Sequence, residues 1–325
     1  MVGFPFAGGA WPMTYLRTDG PRADPATALT WALIGLSVFV VVLITLLVGV
    51  GVALRRRRGL AAADAPIEPQ GDGIAWLTIG FALTLVALGA TLVWTMAALA
   101  AIDSPGRPAA VTIEVTGHEW WWEARYLGAG PDDSFTTANE IHIPVGEPVK
   151  VLLKGADVIH AFWVPALTGK TETIPGRTNL TWLQADHAGT YRGQCAQFCG
   201  LQHAHMAVYV IAQPPAEFEA WRLGQLAGAA APSDPDAMAG QAVFAAHCGE
   251  CHTVRGTPAH GSKGPDLTHL MSRRTLAAGA VPNTTGGLSG WIANPQALKP
   301  GAKMPATFLS GPQLVQLRAY LETLR

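Results

Sequence analysis

Two long stretches without a charged residue dominate the first third of the chain, Ala28 to Leu54 and Ile74 to Ile102. A helix needs ~20 apolar residues to cross the hydrocarbon core of a bilayer. A buried helix of a soluble domain rarely stays apolar for so long. The pattern therefore predicts a transmembrane helical hairpin over 28–102, with spans at 28–54 and 74–102, behind an N-terminal segment of residues 1–27. Arg55–Arg58 follow the first span at once. Basic residues in a short loop stay on the cytoplasmic side, which puts both ends of the chain on the opposite face. Residues 1–25 show no basic start, apolar stretch and small-residue cleavage site in series, so a signal peptide is not expected.

From about residue 110 the period changes to two. Val111, Ile113 and Val115 alternate with polar residues, as do Ile141 and Ile143, then Val149, Val151 and Leu153 after the turn Pro144–Pro148. Such alternation, punctuated by turn residues, predicts a small antiparallel β-sandwich or barrel. We expect this all-β domain over 110–215, with Val208–Gln213 as its last strand. A linker over 216–234 follows, with a short helix near 217–226 and then an Ala/Gly/Pro-rich stretch. Residues 235–325 read as all-α. Ser233 or Asp234 can cap the first helix and Ser310 the last, where Leu314, Leu317, Leu321 and Leu324 share a face.

Composition sharpens this picture. The chain is 49% hydrophobic and 14% charged, against about 25% charged in ordinary soluble domains, which fits a membrane-anchored protein. A formal net charge of −1 gives no reason to expect nucleic acid as a partner. Residues 111–215 carry six basic and ten acidic side chains, and residues 233–325 carry eight and five. The resulting signs, −4 and +3, favour docking of the last domain on the β domain.

Four cysteines in 325 residues make no disulfide scaffold, but they fall in two tight clusters. CGECH at 248–252 is a C-x-x-C-H sequence, read as a c-type haem attachment site. Cys248 and Cys251 would form thioethers and His252 would ligate the iron. A redox dithiol would want a βαβ setting, and half a zinc site would want a second pair. Met238, Met271 and Met304 are the candidate sixth ligands. A Met/His pair raises the haem potential, which suits electron transfer.

The other cluster, QCAQFCGLQHAHM at 194–206, gathers Cys195, Cys199, His203 and Met206. A disulfide, a zinc clip and a copper site compete for it. Structural zinc has little use for a thioether, whereas thiolate, thioether and imidazole together favour copper. Two thiolates can bridge two copper ions, each then needing an imidazole. His203 supplies one, and His160 in DVIHAFWVP is placed to supply the other. The disulfide reading persists because the domain is expected outside the cytoplasm.

These residues resemble a known family. DVIHAFWVPALTGKTETIPGRTN (157–179) followed by QCAQFCGLQHAHM is similar to cytochrome c oxidase subunit II, and residues 233–325, with CxxCH, GPDL at 264–267 and KPGAKMP at 299–305, resemble a class I cytochrome c. Together they resemble the caa3-type subunit with a fused cytochrome c. The resemblance implies a cupredoxin-like Greek-key barrel for the β domain and a dinuclear copper centre, CuA, held by His160, Cys195, Cys199, His203, Met206 and the main-chain carbonyl of Gln197. It makes Met304 the distal haem ligand, with Cys248, Cys251 and His252 completing the haem site. In GHEWWWEARY (117–126) it makes Trp120 the electron-entry residue. The family has Glu where Gln197 stands, and that Glu also reaches a magnesium or manganese ion. A neutral amide is a weaker ligand for a hard cation, so that metal is not expected here. Where the family often carries a glutamate three residues before a Trp at the second span, this chain has Gly73 before Trp76, with Asp72 adjacent.

The implied activity is electron input to a haem-copper terminal oxidase of the bacterial plasma membrane. Electrons would pass from a donor, either cytochrome c or a quinol-oxidising complex, through haem c to CuA and on to subunit I, which reduces oxygen and pumps protons. Subunits I and III and the lipid bilayer are the expected partners, with the haem and copper domains on the periplasmic face. A nitrogen-oxide reductase subunit and a free-standing membrane-anchored carrier are the competing readings.

Overall fold

Asp24 in the first turn and Arg55–Arg57 in the last complement the dipole of a single long helix, α1 (Asp24–Arg57). The second uncharged stretch forms α2 (Gly73–Asp103). The computed structural model describes residues 13–57 and 73–325. Arg58 of the arginine run, Asp72 and residues 1–12 of the N-terminal segment lie outside the described residues. The two helices touch each other and form one compact unit, while residues 13–23 and 105–325 form a second. Neither helix buries a side chain. At 34 and 31 residues both exceed the ~20 needed to span a bilayer, and their apolar, unburied length fits membrane spans.

The period-two region folds as expected. Its strands are β1 (Val111–His118), β2 (Trp121–Leu127), β3 (Phe135–Ala138), β4 (Glu140–Pro144), β5 (Val149–Gly155), β6 (His160–Phe162), β7 (Thr171–Thr173), β8 (Asn179–Leu183), β9 (Gly189–Gln194) and β10 (Ala207–Gln213). One sheet has the order β3-β2-β1-β5-β8 and faces a second of order β4-β10-β9. Ile113, Val115, Trp122, Ile141, Ile143, Val149, Val151 and Leu153 are all fully buried between them. Not every pairing is antiparallel. β1 pairs with β5 in parallel, and β10 pairs with β4 in parallel. The chain leaves the first sheet after β3, contributes β4 to the second, and returns at β5 in the direction of β1.

The stretch expected as a linker, 216–234, starts inside a helix, α3 (Pro215–Leu226). Its Trp221 stacks on His142 at 4.0 Å and meets Tyr126 and Phe135 edge-on, fixing α3 to the barrel. The last domain opens with α4 (Pro235–His247), whose first turn is capped by the Asp234 carboxylate accepting from Asp236 N and Ala237 N. A two-stranded ribbon of β11 (Thr275–Leu276) and β12 (Val281–Pro282) interrupts the helices. Then come α5 (Thr285–Ala293), α6 (Pro295–Leu298) and α7 (Gly311–Leu321). Ser310 and Gln313 form a capping box at the start of α7. α4 and α7 cross at Gly240, where an added Cβ would lie 1.9 Å from Gln316 O.

Candidate metal centre

The ligand cluster lies where β9 ends and β10 begins. Cys195 follows β9 directly, and its N–H donates to Met206 O at 3.0 Å, closing the loop at its neck. Ala196 N donates to Ala161 O in β6, which draws His160 against the loop. The Cys195 and Cys199 sulfurs are 3.8 Å apart, nearly twice the ~2.05 Å of a disulfide, and both thiols are free. His160 Nδ1 lies 3.9 Å from Cys195 Sγ, His203 Nδ1 3.5 Å from Cys199 Sγ, and Met206 Sδ 3.9 Å from Cys199 Sγ. Gln197 O lies 3.2 Å from Cys195 Sγ. His160 and Met206 are fully buried, and Cys195 and Cys199 nearly so. Among the described residues, His160, Cys195 and Cys199 are the group whose donor atoms converge tightly enough to hold a metal.

The surroundings tune these donors. Nε2 of His160 meets Asp157 Oδ1 at 2.9 Å, leaving Nδ1 directed at the sulfurs, the outer carboxylate–imidazole arrangement common at metal sites. Asp157 also accepts from Glu119 N, Val158 N and Lys303 Nζ. Burial opposes its charge, but these bonds hold its carboxyl well below the usual range. Burial likewise opposes charge on His160, and Cys195 and Asp157 outweigh it, raising the imidazole. The hydrogen bond from the Cys199 thiol pulls Cys195 down, and the same contact pushes Cys199 up. Gly117 lets His160 approach, since a Cβ there would lie 2.8 Å from the ring.

Trp120 and Trp122 both reach this loop. The Trp120 indole N–H donates to Cys199 O at 2.8 Å, and that of Trp122 to Met206 O at 3.4 Å. The third ring, Trp121, stacks on His118 at 4.4 Å.

The second cysteine cluster borders a cavity of about 540 Å³. Cys248, Cys251, His252 and Met304 all line it, with Leu288, Trp291, Ile292, Leu317 and Leu321 as apolar wall. Met238 is half exposed on α4, and neither it nor Met271 lines the cavity. Nδ1 of His252 is engaged by Pro265 O at 2.8 Å, which leaves Nε2 free to ligate. Burial pushes the His252 imidazole downward, toward the neutral form a metal needs. The cavity fits a haem in two further respects. Gly264 lies so close that a Cβ would meet His252 Cε1 at 2.6 Å, fixing the ring plane. The buried Arg273 Nε and Thr275 Oγ1 have no hydrogen-bond partner and border the same space, as donors for carboxylates of the propionate kind.

The two centres are joined by contacts that sequence reading missed. His118, Trp121 and Asp157 of the β domain form part of the cavity wall. Lys299, assigned no role from the sequence, is 3% exposed. Its Nζ donates to Trp120 O and His205 O at 2.7 Å and to Ala277 O at 2.8 Å. Burial pushes this ammonium down to about 7, with Cys199 acting the other way, yet the three acceptors match the three protons of the charged form. Gln202 Nε2 donates to Pro300 O. Glu140, also buried, accepts from Arg274 N at 2.7 Å and Thr275 N at 3.2 Å. Of the opposite charges noted in the sequence, Lys303 pairs across the boundary with Glu119 and Asp157. The only local signal for any of these was the Asp-x-x-His spacing of Asp157 and His160.

Residues 126–213 match the family model described as cytochrome C oxidase subunit II, periplasmic domain, and residues 237–325 match the cytochrome c model. The chain is 36% identical to cytochrome c oxidase subunit 2 of Alkalihalophilus pseudofirmus, over 96% of this chain and 91% of that one. It is 32% identical to the corresponding protein of Bacillus sp., over 83% and 80%. The crystal structure of the periplasmic domain of subunit II of cytochrome oxidase from Bradyrhizobium japonicum is 34% identical. It covers 37% of this chain and 95% of that one, with a TM-score of 0.34.

Proposed function

Because this chain belongs to the cytochrome c oxidase subunit 2 family, we propose that its two cysteine clusters are the stations of an electron-input subunit. The chain is a subunit of a haem-copper oxidase, its two apolar helices fit a membrane anchor, and its C-terminal part is a cytochrome c domain. Family membership favours the oxygen enzyme over a nitrogen-oxide reductase or a free-standing carrier.

In this reading His160, Cys195, Cys199, His203, Met206 and the Gln197 carbonyl hold two copper ions, and Cys248, Cys251, His252 and Met304 hold haem c. When bound, the haem supplies a one-electron carrier and the copper pair a one-electron acceptor whose charge is spread over two metals. The chain's own residues keep both sites rigid and dry. Asp157 orients the His160 ring, the Cys195 N–H to Met206 O bond closes the loop, and Pro265 O orients His252. Trp120 lies between the two sites, its indole bonded to Cys199 O and its carbonyl to Lys299, the position expected of an electron-entry residue. Gln197 is exposed and offers a neutral amide, so a hard cation at that place would need ligands from another subunit. We further place oxidase subunits I and III as neighbours, cytochrome c or a quinol-oxidising complex as donor, and both cofactor domains on the outer face of the bacterial plasma membrane.

The observation that carries the copper reading is the convergence of two unjoined sulfurs 3.8 Å apart with an imidazole on either side and a thioether behind. Metal analysis of the purified oxidase, with its near-infrared absorption, tests it: two copper ions per copy of this chain beyond those of subunit I are expected. A Cys195–Cys199 disulfide found by mass spectrometry would overturn it.

A further inference from the structure

An Ala/Gly/Pro-rich stretch and opposite domain charges would suit a tethered partner that finds its site by diffusion. The seam in this structure is built differently. Lys299, the buried basic side chain that crosses it, pairs with no carboxylate among the described residues; its ammonium is enclosed by three carbonyl oxygens. Two of them, of Trp120 and His205, belong to the loops flanking the copper ligands, and the third, of Ala277, to the haem domain itself.

A second observation bears on the same place. The turn of the β11–β12 ribbon holds Ala277, Ala278 and Gly279 at φ of 53°, 58° and 83°. Left-handed backbone is costly for alanine and persists where the surroundings enforce it. Here it aims two carbonyls at the seam. Ala277 O accepts from Lys299, and Ala278 O accepts from Ala207 N of β10 at 3.0 Å. Beside them Gly301, at φ 83°, packs where a Cβ would touch Leu201 at 3.0 Å and the Trp120 ring at 3.8 Å.

From these contacts we propose that Lys299 is a positioning residue: together with the Ala277–Gly279 turn it latches the haem domain in one orientation on the copper domain, with Trp120 enclosed in the seam. This rests on the haem and copper reading above. The latch sets where the donor cavity, which Lys299 and Ala277 also border, lies relative to the copper loop. Because the ammonium and its acceptors are out of water, salt should screen the latch little, whereas a domain held by exposed pairs such as Lys303 with Glu119 would loosen as salt rises.

Two measurements on the intact oxidase test the latch. In the unaltered enzyme the rate of electron equilibration between haem c and the copper pair, after flash reduction of the haem, is expected to stay constant within twofold from low to high salt. A steep fall with salt overturns the proposal. Lys299→Met keeps the length of the side chain and removes all three donors. It is expected to slow that transfer at least about tenfold, the effect of losing one hydrogen bond from a charged donor. Haem and copper spectra should be unchanged, and a soluble cytochrome c should now reduce the copper directly. An unchanged rate in Lys299→Met overturns the latch. Absence of copper or covalent haem from the unaltered enzyme overturns the reading beneath it instead. Should the variant fail to assemble, the salt series still decides.

Discussion

His142 gives a prediction whose size follows from the structure. Its ring lies flat against Trp221 of α3, its Nδ1 meets Gln213 Oε1 at 2.7 Å, and its backbone N–H donates to the Tyr126 hydroxyl. Burial pushes the imidazole down to about 4 from 6.5, with the Gln213 bond acting the other way. The unfolded chain therefore takes up this proton first. Stability is untouched above about pH 7.5 and is lost as pH falls from 6.5 toward 4, because the folded domain resists the charge that the unfolded one accepts. Charging the native ring would cost about 3 kcal/mol, of which about 2 kcal/mol is felt by pH 5. At about 2–4 °C per kcal/mol for a unit of this size, that amounts to a Tm lower by about 4–8 °C. Melts of the full chain in detergent, followed by tryptophan fluorescence at pH 8 and pH 5, give this loss. In His142→Phe, which keeps the stack and removes the titration, the loss should shrink by that amount. Equal losses in both proteins would refute the argument.

Asp157→Asn should weaken copper binding about 10–100-fold in competition with a chelator, since it removes the charge that orients His160; an unaltered affinity would show that the carboxylate serves only the seam. Gly264→Ala forces a Cβ to 2.6 Å from the His252 ring, so the low-spin His/Met haem spectrum should be lost while the copper band remains. Trp120→Phe leaves the Cys199 carbonyl without its donor, at a cost of about 1–3 kcal/mol in thermal stability. Copper content should be retained and copper reduction slowed, and reduction at the unaltered rate would remove Trp120 from the electron path.

The elements that sequence revealed are those encoded by neighbours in the chain. Charge-free runs, period-two alternation, the C-x-x-C-H sequence and the sulfur-rich loop are local patterns, and the Asp234 and Ser310 caps sit where local chemistry put them. His160 was within reach because it sits in the short segment that follows the strand Val149–Gly155. What stayed hidden depends on distant segments meeting. The parallel pairing of β1 with β5 follows from a detour through the second sheet that no alternation records. Arg273 and Thr275 gain meaning from the space they border. Lys299 was the least legible, because lysine is almost never fully buried and its three acceptors come from loops 179, 94 and 22 residues away.

The kinked hinge of residues 277–279 bears on how freely such modules can be exchanged. A foreign electron-carrier domain grafted after α3 could fold, bind its prosthetic group and still sit askew, because its hairpin would turn its oxygens elsewhere. Chimeras built on this scaffold should therefore transplant the short ribbon and the lysine it receives as one cassette.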